Sequence, residues 1–226
     1  TLKGNVNWMK SHEIRMVSND FGEHSSFLKP VIQTGSSDSA ALDAVFELLV
    51  RAGRQVPLVK TILIPESWSN KEWMSSKWRS MYSYCNSIME PWDGPAAIVA
   101  TDGKWVVGGM DRNGLRPMRY SVTEDDLLFI GSETGMVAVD ESKVIKKGRV
   151  GPGQMIAVDL SQGKFFNDKD IKDQISELLP FEEFEKSIIN LNDLPKDNEI
   201  KESLVKISEI NRFQVSIGHS LEDVEL

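Results

Sequence analysis

The sequence predicts an α+β fold: a layered domain of helices followed by antiparallel strands, closed by a helical C-terminal connector. Three observations carry that expectation. Apolar residues recur at helical spacing as far as Met89. Asp102-Gly103 then stands between the apolar runs Ala96 to Thr101 and Lys104 to Gly109, and Asp-Gly in such a setting is the strongest short-range hairpin signal. From that hairpin to Phe166 the chain alternates short apolar runs with turns, as an antiparallel sheet does.

Taken in order, Gly4, Asn5 and Asn7 lead into a short helix from Trp8 to Ile14. Ser18 to Gly35 is polar, contains Gly22 and Pro30, and is expected to be a long loop, a feature that is uncommon in a compact domain unless it serves a function. Leu42, Val45, Phe46, Leu49 and Ala52 share a helical face, with cap candidates in Ser37-Asp38-Ser39. Pro57 can open a second helix through Ile64, stopped by Pro65. A third helix is expected from Ser69 to Met89, with Met74, Trp78, Met81, Cys85 and Ile88 forming its core-facing stripe. Beyond the hairpin, strands are expected over Met118 to Thr123, Leu127 to Gly131 and Met155 to Leu160, the last followed by a turn and Phe165-Phe166. In the tail, Ile200, Leu204, Ile207 and Asn211 share one helical face, supported by a Glu202 to Lys206 pair.

The 226 residues carry a formal charge of -8, which argues against a general nucleic-acid or membrane-surface binder. From Asp168 onward there are 15 acidic and 7 basic residues, whereas the remaining 19 of each cancel. That step divides the chain into a domain over 1–167 and an acidic, partly helical connector over 168–226 leading toward a further domain. No apolar run approaches the roughly 18 residues that span a bilayer, and no leader pattern opens the chain. Its one cysteine, Cys85, can form neither an internal disulfide nor a cysteine-held iron–sulfur cluster, and the composition permits a reducing compartment. The start at Thr1 and the helix-start pattern Ser220-Leu221-Glu222-Asp223 near the end give the expectation of an internal piece of a longer polypeptide.

Among residues with chemistry to offer, Asp38 comes first. Between a polar loop and a helix, its carboxylate could accept charge-assisted hydrogen bonds from a substrate ammonium group, although Asp is also a preferred N-cap. Cys85 lies on an apolar stripe with no adjacent base and is expected to be a small buried hydrophobe. His12, His24 and His219 show no ligand spacing, so no metal site is expected. Gly148 to Gly153 is glycine-rich but is not a phosphate loop, because Pro152 removes a donor and no helix follows. Thr1 could act as a nucleophile only as a true mature terminus. Asp111 to Pro117 is expected to be a clasp, with an arginine paired to Asp93 or Glu133 and Gly114 at positive φ.

In combination, Thr1-Leu2-Lys3-Gly4-Asn5-Val6-Asn7-Trp8-Met9, Ser37-Asp38-Ser39, Ile64-Pro65-Glu66-Ser67-Trp68, Met89 to Pro95, Asp111 to Pro117, Ser132-Glu133-Thr134-Gly135 and Lys147-Gly148-Arg149 resemble the glutamine amidotransferase domain of glutamate synthase large subunits. That is a class II amidotransferase domain with the N-terminal nucleophile hydrolase fold. The resemblance implies a four-layer αββα sandwich, of which this chain supplies the later part. It also implies that an N-terminal cysteine and an Asn-Gly oxyanion hole lie upstream, together with the arginine that holds the substrate carboxylate. No catalytic residue then falls in this chain, Thr1 sits in a loop after the oxyanion hole, and of the principal glutamine contacts only the aspartate carries over, onto Asp38. Thr134 and Met136 depart from the valines usual in the family, and the tail beyond Asp168 matches loosely.

The implied function is hydrolysis of L-glutamine to glutamate and ammonia, which passes to synthase domains of the same polypeptide acting on 2-oxoglutarate with FMN and an iron–sulfur cluster. A reductase subunit or ferredoxin would supply electrons, in the cytoplasm or in a plastid. No cofactor, nucleic acid or membrane is implied for this segment, which alone is expected to be inactive. The alternative is a non-catalytic interaction or scaffold module of the same fold, and a processed cysteine start with Asn-Gly before Thr1 discriminates between the two.

Overall fold

The computed structural model describes residues 2–189, 191–194 and 207–217. Thr1, the expected helical residues Ile200 and Leu204, the Glu202 to Lys206 pair and the Ser220 to Asp223 helix start lie outside them. The chain divides into two compact units, Thr1–Ile188 and Ile189–Leu226. The expected boundary at 168 falls at the start of a helix within the first unit.

The α+β expectation holds, and most helix ends follow from local chemistry. Helix α1 (Val6–Glu13) starts earlier than expected because the Asn5 side chain caps it, accepting from the Trp8 amide. The long loop after it contains a 3-10 helix, Gly22–Leu28. Ser37 caps α2 (Asp38–Arg51), which buries Ala41, Leu42 and Val45. Helix α3 (Val56–Leu63) carries Pro57 in its first turn, and all of its residues are buried, as befits a helix that crosses an interior. Helix α4 (Ser76–Ile88) is shorter than expected: Ser75 caps it, and the residues before are held in turns from Lys71 N to Trp68 O and from Met74 N to Lys71 O.

The hairpin forms between β1 (Ala97–Thr101) and β2 (Trp105–Met110), with Thr101 opposite Val106. Its connection is longer than a two-residue turn, because the Asp102 carboxylate accepts from the Lys104 and Trp105 amides at 2.9 and 2.6 Å. The remaining strands are β3 (Arg119–Thr123), β4 (Leu128–Gly131), β5 (Val144–Arg149), β6 (Met155–Asp159) and β7 (Lys164–Phe166). They build two antiparallel sheets, ordered β1-β2-β6-β7 and β4-β3-β5. Strand β5 was not among the expected strands. Helices α5 (Asp168–Ile175) and α6 (Phe181–Lys186) complete the first unit. The second unit contains 3-10 turns at Leu191–Asp193 and Ile207–Glu209 and the helix α7 (Ile210–Ser216), which includes Asn211.

Side-chain alternation along the first sheet sets the layers. Trp105, Val107, Met155, Ala157 and Phe166 belong to the core shared with the helices, whereas Met110, Ile156 and Phe165 belong to a second core with Tyr120 and Ile130 of the other sheet and with Met118 and Val150 at the ends of its strands. Helices α3 and α5 pack on the first sheet at β2 and β6. Among the described residues the order is therefore helices, four-stranded sheet, three-stranded sheet. Close approach is made possible by Gly108, where an added Cβ would lie 3.2 Å from Ile130.

Two loops lock together at one end of the sheets. Asp111, 1% exposed, accepts from the Ala96, Asn113 and Gly114 amides at 3.1, 2.9 and 3.1 Å, and its carbonyl accepts from Gly153 N at 2.7 Å. Arg112 pairs with Asp93, and Gly114 adopts φ +62, so the expected clasp is present. Gly153 has φ +70, and an added Cβ would lie 2.9 Å from Glu66 Cα. Gly153→Ala is therefore expected to lower unfolding stability by about 2 kcal/mol or more in urea titration; a change within about 0.5 kcal/mol would refute this account of the lock.

Candidate functional site

Asp38 lies at the first position of α2, and the capping question is settled by its neighbour: Ser37 Oγ accepts from the Ala40 amide at 3.2 Å. The Asp38 carboxylate is left half-buried, without a hydrogen bond or ion pair among the described residues. A carboxylate in such a position is available to a cationic ligand. Its backbone carbonyl, by contrast, is held: Trp92 Nε1 donates to it at 2.9 Å.

Trp92 is 2% exposed. Its amide donates to the Leu63 carbonyl at the end of α3 (2.8 Å), and its neighbour Asp93 exchanges backbone bonds with Lys3 at 2.7 and 2.8 Å. The indole also fills the space at Gly4, where an added Cβ would come within 2.3 Å of the ring. The segment after Thr1, the start of α2 and the Asp111 clasp thus meet at Pro91-Trp92-Asp93. A cleft beside them is lined by Glu66, Trp68, Asn86, Trp92 and Arg112.

Beneath that cleft lies a buried charged network. Glu66 accepts from Tyr82 Oη at 2.9 Å and pairs with Lys71 and Lys172, each at 2.6 Å; Lys172 also meets Asp168 at 2.8 Å. Burial pushes the Glu66 carboxyl up, but the Lys172 charge and hydrogen bonds from Lys172, Lys71 and Tyr82 outweigh it and hold the group below its ordinary value. Tyr82 is raised by burial and by the Glu66 charge. Lys60, 2% exposed, lays its stem across β2 at Gly109, where a Cβ would lie 2.7 Å from its Cε. Burial and the Lys172 charge lower it to about 7, against the opposing pull of Asp168, Glu66 and Asp111.

Cys85 lies fully buried on α4, and burial pushes its thiol up to about 12, the opposite of what a nucleophile needs. It is the small hydrophobe expected. Sequence reasoning missed Trp92 as an organiser and the whole Glu66 network. The available signal was Lys60, a charge inside a helix that is apolar apart from Thr61 beside it.

The sequence model for class II glutamine amidotransferases matches residues 1–184, and the chain belongs to that family. Its relatives include the NADPH glutamate synthase large chain of Azospirillum brasilense, 52% identical, and that of Bacillus subtilis (strain 168), 39% identical. The ferredoxin-dependent glutamate synthase of Antithamnion sp. is 42% identical. Each alignment covers 100% of this chain but 15% of the relative, so the chain spans about 15% of the length of these three proteins. No helix among the described residues is long and apolar enough to cross a membrane.

The network makes a pH prediction. Between the folded value of Lys60, about 7, and its ordinary 10.5, the unfolded chain holds a proton that the folded chain lacks, so stability rises with pH. Cys85 acts in the opposite sense as the pH nears and passes its ordinary 9.0, where the unfolded thiol ionises first, and takes back only a small part of that gain below pH 9. Unfolding free energy should therefore gain about 2 kcal/mol between pH 7 and 9. Lys60→Met should flatten that rise in urea titrations, and an unchanged slope in the variant would assign it elsewhere.

Proposed function

We propose that the chain is the later part of the glutaminase domain of a glutamate synthase, and that Asp38 binds the α-ammonium group of L-glutamine. The observation that carries this reading is the Asp38 carboxylate: half-buried, released from capping by Ser37, and without a partner among the described residues. The ordered motifs and the family membership support it. In this reading an upstream cysteine attacks the side-chain amide, ammonia leaves, and water releases glutamate from the resulting thioester. Ammonia then passes to synthase domains of the same polypeptide, which act on 2-oxoglutarate with electrons from a reductase subunit or ferredoxin. The full domain completes the αββα sandwich, and residues 168–226 lead toward the next domain.

FMN and an iron–sulfur cluster belong to those other domains. The residues of this chain do not fit a cluster: its one cysteine is buried in the apolar core, and a cluster needs several thiolates. For the same reason these 226 residues are not expected to hydrolyse glutamine alone, since Cys85 lacks both an activated thiol and access to substrate. Incubation of the purified chain with glutamine should release no ammonia, and clear turnover would overturn that part of the reading.

In the full-length polypeptide, Asp38→Ala should raise KM for glutamine on the order of a hundredfold, the scale of a lost charge-assisted contact, while ammonia-dependent synthesis persists. Equal loss of both activities would show instead that Asp38 serves folding.

A further inference from the structure

We infer that Trp92 is a positioning residue for glutamine, setting the Asp38 carboxylate from behind. The inference rests on the reading of Asp38 given above. A side chain with no hydrogen-bond partner inherits its placement from its own backbone, and the Asp38 backbone is held at one external point: the indole Nε1–H donating to its carbonyl at 2.9 Å. A carbonyl has two lone pairs, so this bond is compatible with the helix ladder.

The indole can serve as a reference because it is itself fixed. It is 2% exposed, its amide is bonded to the Leu63 carbonyl at 2.8 Å, and Asp93 beside it is tied to Lys3 through the backbone and to Arg112 through its carboxylate. The same ring fills the space that a side chain at Gly4 would need. One side chain therefore sets the distance between the Gly4 segment and the start of α2, two stretches separated by a helix and a long loop. Its place between them is a packing constraint and a directional one at once: the ring sets the spacing, and the N–H sets the orientation of Asp38.

The test is a double-mutant cycle in the full-length polypeptide. Trp92→Phe keeps a ring over Gly4 but removes the donor; KM for glutamine should rise about 5- to 50-fold with kcat within about twofold, and ammonia-dependent synthesis should be retained. In an Asp38→Ala background the same change should add less than about twofold, because the two residues act as one unit. Gly4→Ala, whose Cβ would lie 2.3 Å from the indole Nε1, should reproduce the KM effect by displacing the ring. If Asp38→Ala raises KM but Trp92→Phe is silent, or multiplies fully with it, the inference fails and the reading of Asp38 survives. Joint loss of ammonia-dependent synthesis in Trp92→Phe would assign Trp92 to folding and also overturn the inference. If Asp38→Ala leaves KM unchanged, the underlying reading falls and takes the inference with it.

Discussion

The carboxylate of Glu66 is met from three directions: by Lys172 from α5, by Tyr82 from α4 and by Lys71 from the turn before α4. A fourth neighbour, the Gly153 backbone, packs against its stem. Bringing such charges out of water is costly, and a buried ion pair contributes little net stability over a hydrophobic substitute. Removing one partner is another matter, because it strands the others in a poorly solvating interior. The network therefore acts as a constraint on arrangement more than as a source of energy. It requires α4, α5 and the loop after α3 to dock together, and it makes α5 part of the first compact unit despite the acidic composition that begins there.

What could be read from the sequence was what local chemistry decides. Ser37 and Pro57 mark helix starts, and Asp102-Gly103 marks the hairpin, because caps, fixed φ angles and turn residues act within a few positions of themselves. Strand β5 escaped because only Val144 and Ile145 are apolar in it; Lys146-Lys147-Gly148-Arg149 becomes a strand by pairing with β3. Helix α5 was obscured by the summed acidity of the tail, although Ile171 and Ile175 sit one helical turn apart beneath an Asn167 cap. At the candidate site the residue type and position of Asp38 were legible, but its freedom from capping was not, since Ser37 and Asp38 are equivalent candidates until one backbone geometry is chosen. Trp92 was recognisable as part of a motif, yet its partners Gly4 and Asp38 are far from it in sequence, and no local pattern encodes such a meeting.

The Asp93 to Asp111 region links these two levels. Strand β2 carries one row of side chains toward the helices and another toward the second sheet, β1 adds Ile98 and Ala100 to the helix side, and the loops at their ends hold Asp93, Arg112 and the Asp111 amide bonds. The exposed Arg112 pair adds little by itself, whereas Asp111 satisfies three amides with a buried carboxylate. The hairpin is thus a frame. The chemistry proposed for the chain stands at the far end of Trp92, on a different element.

Strand β1 lies at the edge of its sheet, and one of its faces is open as well: Ala97, Val99 and Thr101 alternate as exposed residues, with Val99 60% accessible. Ala-Ile-Val-Ala-Thr contains no lysine, proline or bulge, the usual means by which an edge is kept from recruiting another strand. Prepared by itself, the chain therefore offers a backbone edge that is unpaired among the described residues as a template for intermolecular β-pairing. The consequence is colloidal: association through this edge grows with concentration, and Val99→Lys is the substitution that guards it.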